Sequence, residues 1–216
     1  VLNGKTITEV GIQVDPQVDT ILVNGNPVYF PTEYTYYILN KPVGYITTLS
    51  DPHQKKAITT LFPPTIKHRI YPVGRLDLDS EGLLLLTNDG ELTQLLLHPR
   101  YEIPRIYQVL VSPIFSPTQL DSLRMGMELE EGHTGSIQAN IQSNQSDKTW
   151  LQLTLYQGWK RQIRRMLGLL GSTIHILRRI GYGPLLLGDL PIGSCRRLNK
   201  KEIEQLNHLK KTLQNN

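Results

Sequence analysis

Gly74-Arg75-Leu76-Asp77-Leu78-Asp79-Ser80-Glu81-Gly82-Leu83-Leu84-Leu85-Leu86-Thr87-Asn88-Asp89-Gly90 is the stretch on which the reading of this chain turns. Its second half is a short, unbroken leucine run bounded by polar residues, which predicts a buried strand over residues 83–87. Its first half is a polar turn carrying Asp77 next to Arg75. A carboxylate hung on a turn that a buried strand keeps rigid, beside a cation, is a candidate nucleophile or acid/base group.

Outward from that strand, Leu92, Leu95 and Leu96 fall at helical spacing, and His98-Pro99 stops the helix. Residues 105–111 alternate as a strand, and Ser116-Pro117 opens a short helix with serine at the cap and proline in the first turn. Residues 134–142 and 149–156 alternate as a pair of strands. The clearest helix spans 162–170, where Ile163, Met166, Leu167 and Leu170 form one apolar stripe and Gly171 ends it. Arg161, Arg164 and Arg165 project together from another face of that helix. Residues 200–213 predict a closing helix.

On the N-terminal side, residues 34–39 predict a strand, followed by a turn at Lys41-Pro42-Val43-Gly44 and a polar loop over 50–56. Residues 1–30 read as short strands separated by turns at Asn3-Gly4, Asp15-Pro16 and Asn24-Gly25-Asn26-Pro27, with too few apolar residues for a core of their own. A break is expected at Phe30-Pro31-Thr32-Glu33, which gives two segments, 1–33 and 34–216. Strands and helices are interspersed without strict alternation, so the class is α+β.

The composition excludes several classes. A chain of 216 residues with 39% hydrophobic and 19% charged residues is ordinary for a soluble globular protein. Its longest aliphatic run is far short of the ~20 residues that span a bilayer. The opening Val-Leu-Asn-Gly-Lys has no signal-peptide pattern, and one cysteine, Cys195, forms no internal disulfide and suits a reducing cytoplasm. The charge is segregated. Residues 148–188 hold no Asp or Glu but carry Lys148, Lys160, Arg161, Arg164, Arg165, Arg178 and Arg179, against a net +4 for the chain. Such a stretch fits either a polyanion such as RNA or a solvated basic face.

Asp-Leu-Asp-Ser-Glu-Gly from Asp77 copies the start of a calcium loop, but Asn88 stands where a bidentate glutamate is needed and leucines replace the middle ligands. The histidines (His53, His68, His98, His133, His175, His208) are dispersed, so no metal is expected. Gly181-Tyr182-Gly183-Pro184 reads as a turn, not a phosphate loop. Taken one at a time, Asp77, Tyr107 and Arg164 fit a surface turn, a packed strand and a solvated helix face better than they fit a site.

Their contexts together resemble a known family. Gly74-Arg75-Leu76-Asp77, followed by Glu81-Gly82-Leu83-Leu84-Leu85-Leu86-Thr87-Asn88-Asp89-Gly90, resembles the catalytic motif of ribosomal-RNA pseudouridine synthases of the RsuA/RluB type. Leu39-Asn40-Lys41-Pro42-Val43-Gly44-Tyr45-Ile46-Thr47-Thr48 is similar to that family's first motif. His98-Pro99 with Ile106-Tyr107-Gln108-Val109 resembles its tyrosine-bearing strand, and Gly158 with Arg161-Gln162-Ile163-Arg164-Arg165-Met166 its basic motif. Arg179-Ile180-Gly181 through Leu187-Gly188-Asp189 resembles its C-terminal signature. The motifs fall in family order over about residues 34–205. Residues 1–30 resemble the last hairpin of the small RNA-binding module that ribosomal protein S-four shares with these enzymes, without its opening helices. Two positions depart from the pattern: Ser80 replaces a usual threonine, and Trp159 a usual basic residue.

The resemblance implies a mixed, largely antiparallel catalytic sheet and the isomerisation of a uridine in ribosomal RNA to pseudouridine, with no cofactor. The glycosidic bond breaks, the uracil rotates and a carbon–carbon bond forms. It makes Asp77 the essential carboxylate, acting on the ribose or the uracil. Enclosing a carboxylate with a flipped base favours its neutral form unless a guanidinium stands beside it, and that role falls to Arg164. Tyr107 would stack on the base as a candidate proton acceptor. Arg75 would fill the vacated helix space or hold a phosphate, and Lys160, Arg161 and Arg165 would neutralise phosphates. A cytoplasmic monomer is expected. Two other readings remain: a non-catalytic RNA-binding or ribosome-assembly protein on the same scaffold, and a glycosidase using Asp77 with Asp79 or Glu81.

Overall fold

Leu83, Leu84, Leu85 and Leu86 are all fully buried, because the strand that carries them is covered on both faces. Leu83 and Leu85 join one apolar cluster and Leu84 and Leu86 another. This is why the run shows no polar alternation. The computed structural model describes residues 1–15, 18–28, 33–50, 56–66 and 69–215. The turn expected at Asp15-Pro16, the break at 30–33 and the loop at 50–56 lie partly outside them.

The chain divides into two units, Val1–Tyr34 and Thr35–Asn216. The first contains a small hairpin, β1 (Leu22–Val23) and β2 (Asn26–Pro27). Asn24 and Gly25 between them both have positive φ, 50° and 78°, the primed turn that matches strand twist.

The second unit runs β3 (Tyr36–Lys41), β4 (Tyr71–Pro72), β5 (Glu81–Thr87), α1 (Gly90–Leu97) and β6 (Arg105–Ser112). It continues through α2 (Pro117–Met125), β7 (Glu128–Leu129), β8 (Gly132–His133), β9 (Gln138–Gln145) and β10 (Lys148–Leu155). It ends with α3 (Gln162–Leu169), β11 (Thr173–Tyr182), β12 (Leu185–Leu186), β13 (Cys195–Arg197) and α4 (Lys200–Gln214). The main sheet has the order β13-β3-β5-β11-β6-β10-β9, with β4 paired to β5 and β12 to β11. Its pairings are antiparallel except β5 with β11, which is parallel. The α+β, largely antiparallel class read from the sequence is therefore the observed one.

Several helix ends form as their residues dictate. Asp89 caps α1 by accepting from Leu92 N–H, and Ser116 with Gln119 makes a capping box on α2. Ile163, Met166 and Leu167 of α3 pack into the cluster built on β6, β9, β10 and β11. α1 and α4 instead cover Ile38, Leu83 and Leu85.

Two elements differ from expectation. The strand expected over 134–142 begins at Gln138, because Thr134 N–H donates to the Met127 carbonyl beside the Glu128–Leu129 and Gly132–His133 hairpin, and Ile137 N–H donates to the Arg124 carbonyl. β11, the longest strand and central to the sheet, was not legible, since its arginines interrupt the apolar pattern. Among the described residues, no helix is long and apolar enough to cross a membrane.

Candidate active site

Asp77 lies on a turn closed by Ser80 N–H donating to the Asp77 carbonyl at 3.1 Å. The residues that lead out of β3 clamp this turn. Gly44 N–H donates to the Leu78 carbonyl at 2.8 Å, and the Thr47 hydroxyl donates to the Leu76 carbonyl at 2.8 Å. Lys41, fully buried at the end of β3, donates through Nζ to the carbonyls of Ser80 at 2.7 Å, Pro42 at 2.9 Å and Asp77 at 3.1 Å. One ammonium thus satisfies the Ser80 and Pro42 carbonyls and adds a second donor to the Asp77 carbonyl, which already accepts from Ser80 N–H. Burial pushes its pKa down to about 8, with the charges of Asp77, Asp79 and Glu81 resisting.

On the other side of the turn, Gly82 lets β5 meet β11. Its φ is +108°, and a Cβ there would lie 2.3 Å from the Arg179 carbonyl oxygen. Only glycine permits this approach, which sets the parallel pairs Arg178 with Glu81 and Arg179 with Gly82.

The basic residues at the start of α3 engage this turn through Asp79. Arg161 holds the Asp79 carboxylate in a fork, Nη1 to Oδ1 at 3.1 Å and Nη2 to Oδ2 at 2.9 Å. Arg164 donates from Nη2 to the Asp79 backbone carbonyl at 2.7 Å and sets Nε 3.3 Å from Asp79 Oδ2. Its Nη2 also reaches the Ser80 hydroxyl at 3.4 Å, so the serine keeps the polar function of the usual threonine. Burial works against the Asp79 charge, but the Arg161 hydrogen bond and the Arg164 charge outweigh it and hold its carboxyl below the usual range. Burial is the main influence on Arg164 and lowers its pKa.

The expected direct pair between Arg164 and Asp77 is not formed. Arg164 is spent on Asp79, and among the described residues no hydrogen bond or ion pair engages the Asp77 carboxylate. Arg165 is likewise turned to a protein partner, forking Glu131 with two bonds of 2.8 Å. Glu81 pairs with Arg178 at 2.6 Å. The second and third acids of the calcium-like loop are therefore both matched to guanidinium groups. Among the described residues, no group of three His, Cys, Asp or Glu could hold a metal.

Asp77 opens instead onto a cleft of about 480 Å³. Arg75, Tyr107, Trp159, Lys160 and Arg161 also line it, while Arg164 and Arg165 do not. Tyr107 stands opposite Arg179 in the β6–β11 register, so the two share a face of the sheet, and both line the cleft. Of the residues singled out from sequence, Asp77, Tyr107, Arg75, Lys160 and Arg161 thus meet at one cavity.

Residues not foreseen support the turn or line the cleft. Lys41 stood within a recognised motif but read only as part of a turn. Arg179 is 3% exposed, donates from Nε to the Leu83 carbonyl at 2.8 Å and lies over the Tyr182 ring at 5.1 Å. Arg105 flanks the same ring at 5.4 Å. A lysine ending a buried strand, and an arginine within one, were the available signals.

A family model described as RNA pseudouridylate synthase matches residues 35–168. The chain is 41% identical over 206 residues to an uncharacterized RNA pseudouridine synthase of Aquifex aeolicus, covering 95% of this chain and 82% of that one. It is also 41% identical over 210 residues to the ribosomal large subunit pseudouridine synthase B of Bacillus subtilis, covering 96% of this chain and 85% of that one. A crystal structure of pseudouridylate synthase superposes with a TM-score of 0.75 at 26% identity, covering 95% of this chain and 87% of that chain. The structure of an H/ACA RNP bound to a substrate RNA containing 2'-deoxyuridine shares the fold at a TM-score of 0.54 and 15% identity. By the matched family model and by relatives similar across nearly its whole length, the chain belongs to the RNA pseudouridylate synthase family.

Proposed function

We propose that the chain isomerises a specific uridine of ribosomal RNA to pseudouridine, with Asp77 as the essential carboxylate and no cofactor. The observation that carries this reading is the contrast between Asp77 and its neighbours. Asp79 and Glu81 are bound to arginines, whereas Asp77 is clamped through its backbone and presents an unengaged carboxylate to a cleft it shares with Tyr107. Holding the backbone fixed while leaving the side chain free pre-organises a nucleophile.

A base within a helix cannot reach such a cleft, so the target uridine is flipped out at a cost of a few kcal/mol. Arg75, exposed at the rim, fills the vacated space or holds a flanking phosphate. Tyr107 stacks on the base. Lys160 and Arg161 neutralise phosphates at the mouth, and Trp159, beside them, offers a ring for a neighbouring base. Arg164 acts through the turn, fixing Asp79 and thereby the position of Asp77. The name of the Bacillus subtilis relative supports ribosomal RNA as the partner. The chain acts as a monomer in the cytoplasm, where that RNA is made.

The test is release of tritium from carbon 5 of uridine-labelled bacterial ribosomal RNA. Isomerisation releases it as water. A binding protein on the same scaffold gives no release, and a glycosidase liberates labelled uracil instead.

A further inference from the structure

Three polar atoms at the cleft are buried and lack any hydrogen-bond partner among the described residues: Arg179 Nη2, Gln162 Nε2 and Gln157 Oε1. All three residues line the cavity that holds Asp77. Arg179 and Gln162 are 3% and 4% exposed, so water does not substitute freely for a partner. The Gln162 amide is oriented by Trp159 N–H, which donates to its Oε1 at 3.3 Å and leaves the donor end unengaged. Arg179 uses Nε on the Leu83 carbonyl, and no carboxylate among the described residues pairs with its charge. Buried groups left unsatisfied in a folded protein call for a missing partner.

Their chemistry defines that partner. Two are donors and one an acceptor. Uracil presents the complement on one edge: the acceptors O2 and O4 flank the N3–H donor. Cytosine carries an amino donor in place of O4, which would face a donor. The edge also has a property specific to this reaction. Turning the detached ring about the line through N3 and C6 exchanges N1 with C5, as isomerisation requires. The same turn exchanges O2 with O4 and leaves N3–H in place. A donor–acceptor–donor set therefore fits the ring equally before and after it turns.

We propose that Arg179, Gln157 and Gln162 recognise the O2–N3–O4 edge of the flipped uracil and retain the detached ring through its rotation. This rests on reading the cleft as a pseudouridine synthase site. The set selects uridine over cytidine and keeps the free base from escaping, while Asp77 and Tyr107 act on the other side of the ring.

The test uses the shortest ribosomal RNA fragment that the wild-type chain converts, with uridine, 2-thiouridine or 4-thiouridine at the target. Sulfur is the poorer acceptor. Because each carbonyl meets one donor before rotation and the other after it, both analogues are converted in a single turnover about tenfold more slowly than uridine. Gln162→Met, checked for a native melting temperature, narrows both ratios. The proposal is overturned if the wild type converts both analogues at the uridine rate, or if folded Gln162→Met keeps the wild-type ratios. If Gln162→Met does not fold, the wild-type analogue series decides alone. Failure to convert the unmodified uridine in any fragment overturns the underlying synthase reading, and is distinguished by the absence of turnover on uridine itself.

Discussion

Lys41 Nζ donates to the backbone carbonyl of Asp77 at 3.1 Å, placing a fully buried ammonium directly behind the candidate carboxylate. The cation does not pair with the Asp77 side chain. It holds the peptide that carries it, and does so jointly with the Ser80 and Pro42 carbonyls. The turn is therefore fixed from below by a charge whose own proton can be titrated.

That proton gives opposite trends in stability and activity. Burial lowers the Lys41 pKa from 10.5 to about 8, so between those values the unfolded chain binds the extra proton and stability rises with pH. Over the same interval the neutral amine keeps two N–H groups for three carbonyls, and the turn loosens. Turnover should fall above pH 8 while the Lys41 contribution to stability grows. Lys41→Met should remove the stability rise, read from urea midpoints below pH 8 and near pH 10.5. Parallel pH profiles for the two proteins would contradict this.

Asp79 should matter more for catalysis than for RNA affinity, because it links α3 to the Asp77 turn. The Arg161 and Asp79 side chains are 44% and 42% exposed, so their ion pair should couple by no more than ~0.5 kcal/mol. Arg164 is only 16% exposed, so its ion pair is less screened and the Arg164→Met and Asp79→Asn cycle should show roughly 1 kcal/mol. Turnover of Asp79→Asn should drop severalfold with RNA affinity little changed. Equal coupling in the two cycles would show that the lower exposure of Arg164 does not strengthen its pair with Asp79.

The leucine strand, α1, α2, α3 and α4 were legible because each shows a period or a cap that local chemistry enforces. β11 was not, because its inward residues include Arg179, whose charge breaks the apolar signal while its stem packs in the sheet. The resemblance supplied Asp77, Tyr107 and Arg164 as a set, and the structure brings the first two to one cleft. The Arg164 contact could not be read from spacing, since Asp77 and Asp79 are both within the same short turn. Asp79 and Glu81, which the sequence offers as calcium-like loop acids or as partners of Asp77 in a glycosidase, are the acids that tie Arg161, Arg164 and Arg178 to the turn and to β5. Lys41 was hidden for a related reason: a lysine beside Pro42 and Gly44 reads as an exposed turn residue, and only the fold shows it buried.

Gly82→Ala should destabilise the protein by about 3 kcal/mol or more, since it combines an unfavourable φ of +108° with a Cβ 2.3 Å from backbone that cannot swing away. The strain falls on the β5–β11 junction, which positions Arg179 beside the cleft. A fall in the urea midpoint with an unchanged m-value would report it. A midpoint equal to wild type would mean that the junction yields without cost.

Asp77→Asn should abolish product while leaving the folded state and RNA affinity nearly intact, because among the described residues no hydrogen bond or ion pair engages its carboxylate. Thermal melts, RNA titration and the tritium assay on the same preparation check the three parts. Loss of folding or of RNA binding would make Asp77 structural rather than chemical.

The basic residues should separate by their partners. Lys160 lines the cleft with no ion pair among the described residues, so Lys160→Ala should lower the slope of log affinity against log salt by ~0.7, the value for one single-strand phosphate contact. Arg161 shares its charge with Asp79 and should change the slope less. Arg165 is forked onto Glu131 and lies outside the cleft, so Arg165→Ala should leave the slope nearly unchanged unless Glu131 is removed as well. Titrations of one ribosomal RNA fragment at several salt concentrations check the order. A full slope change in Arg165→Ala would show that RNA displaces Glu131 and draws this arginine into the interface.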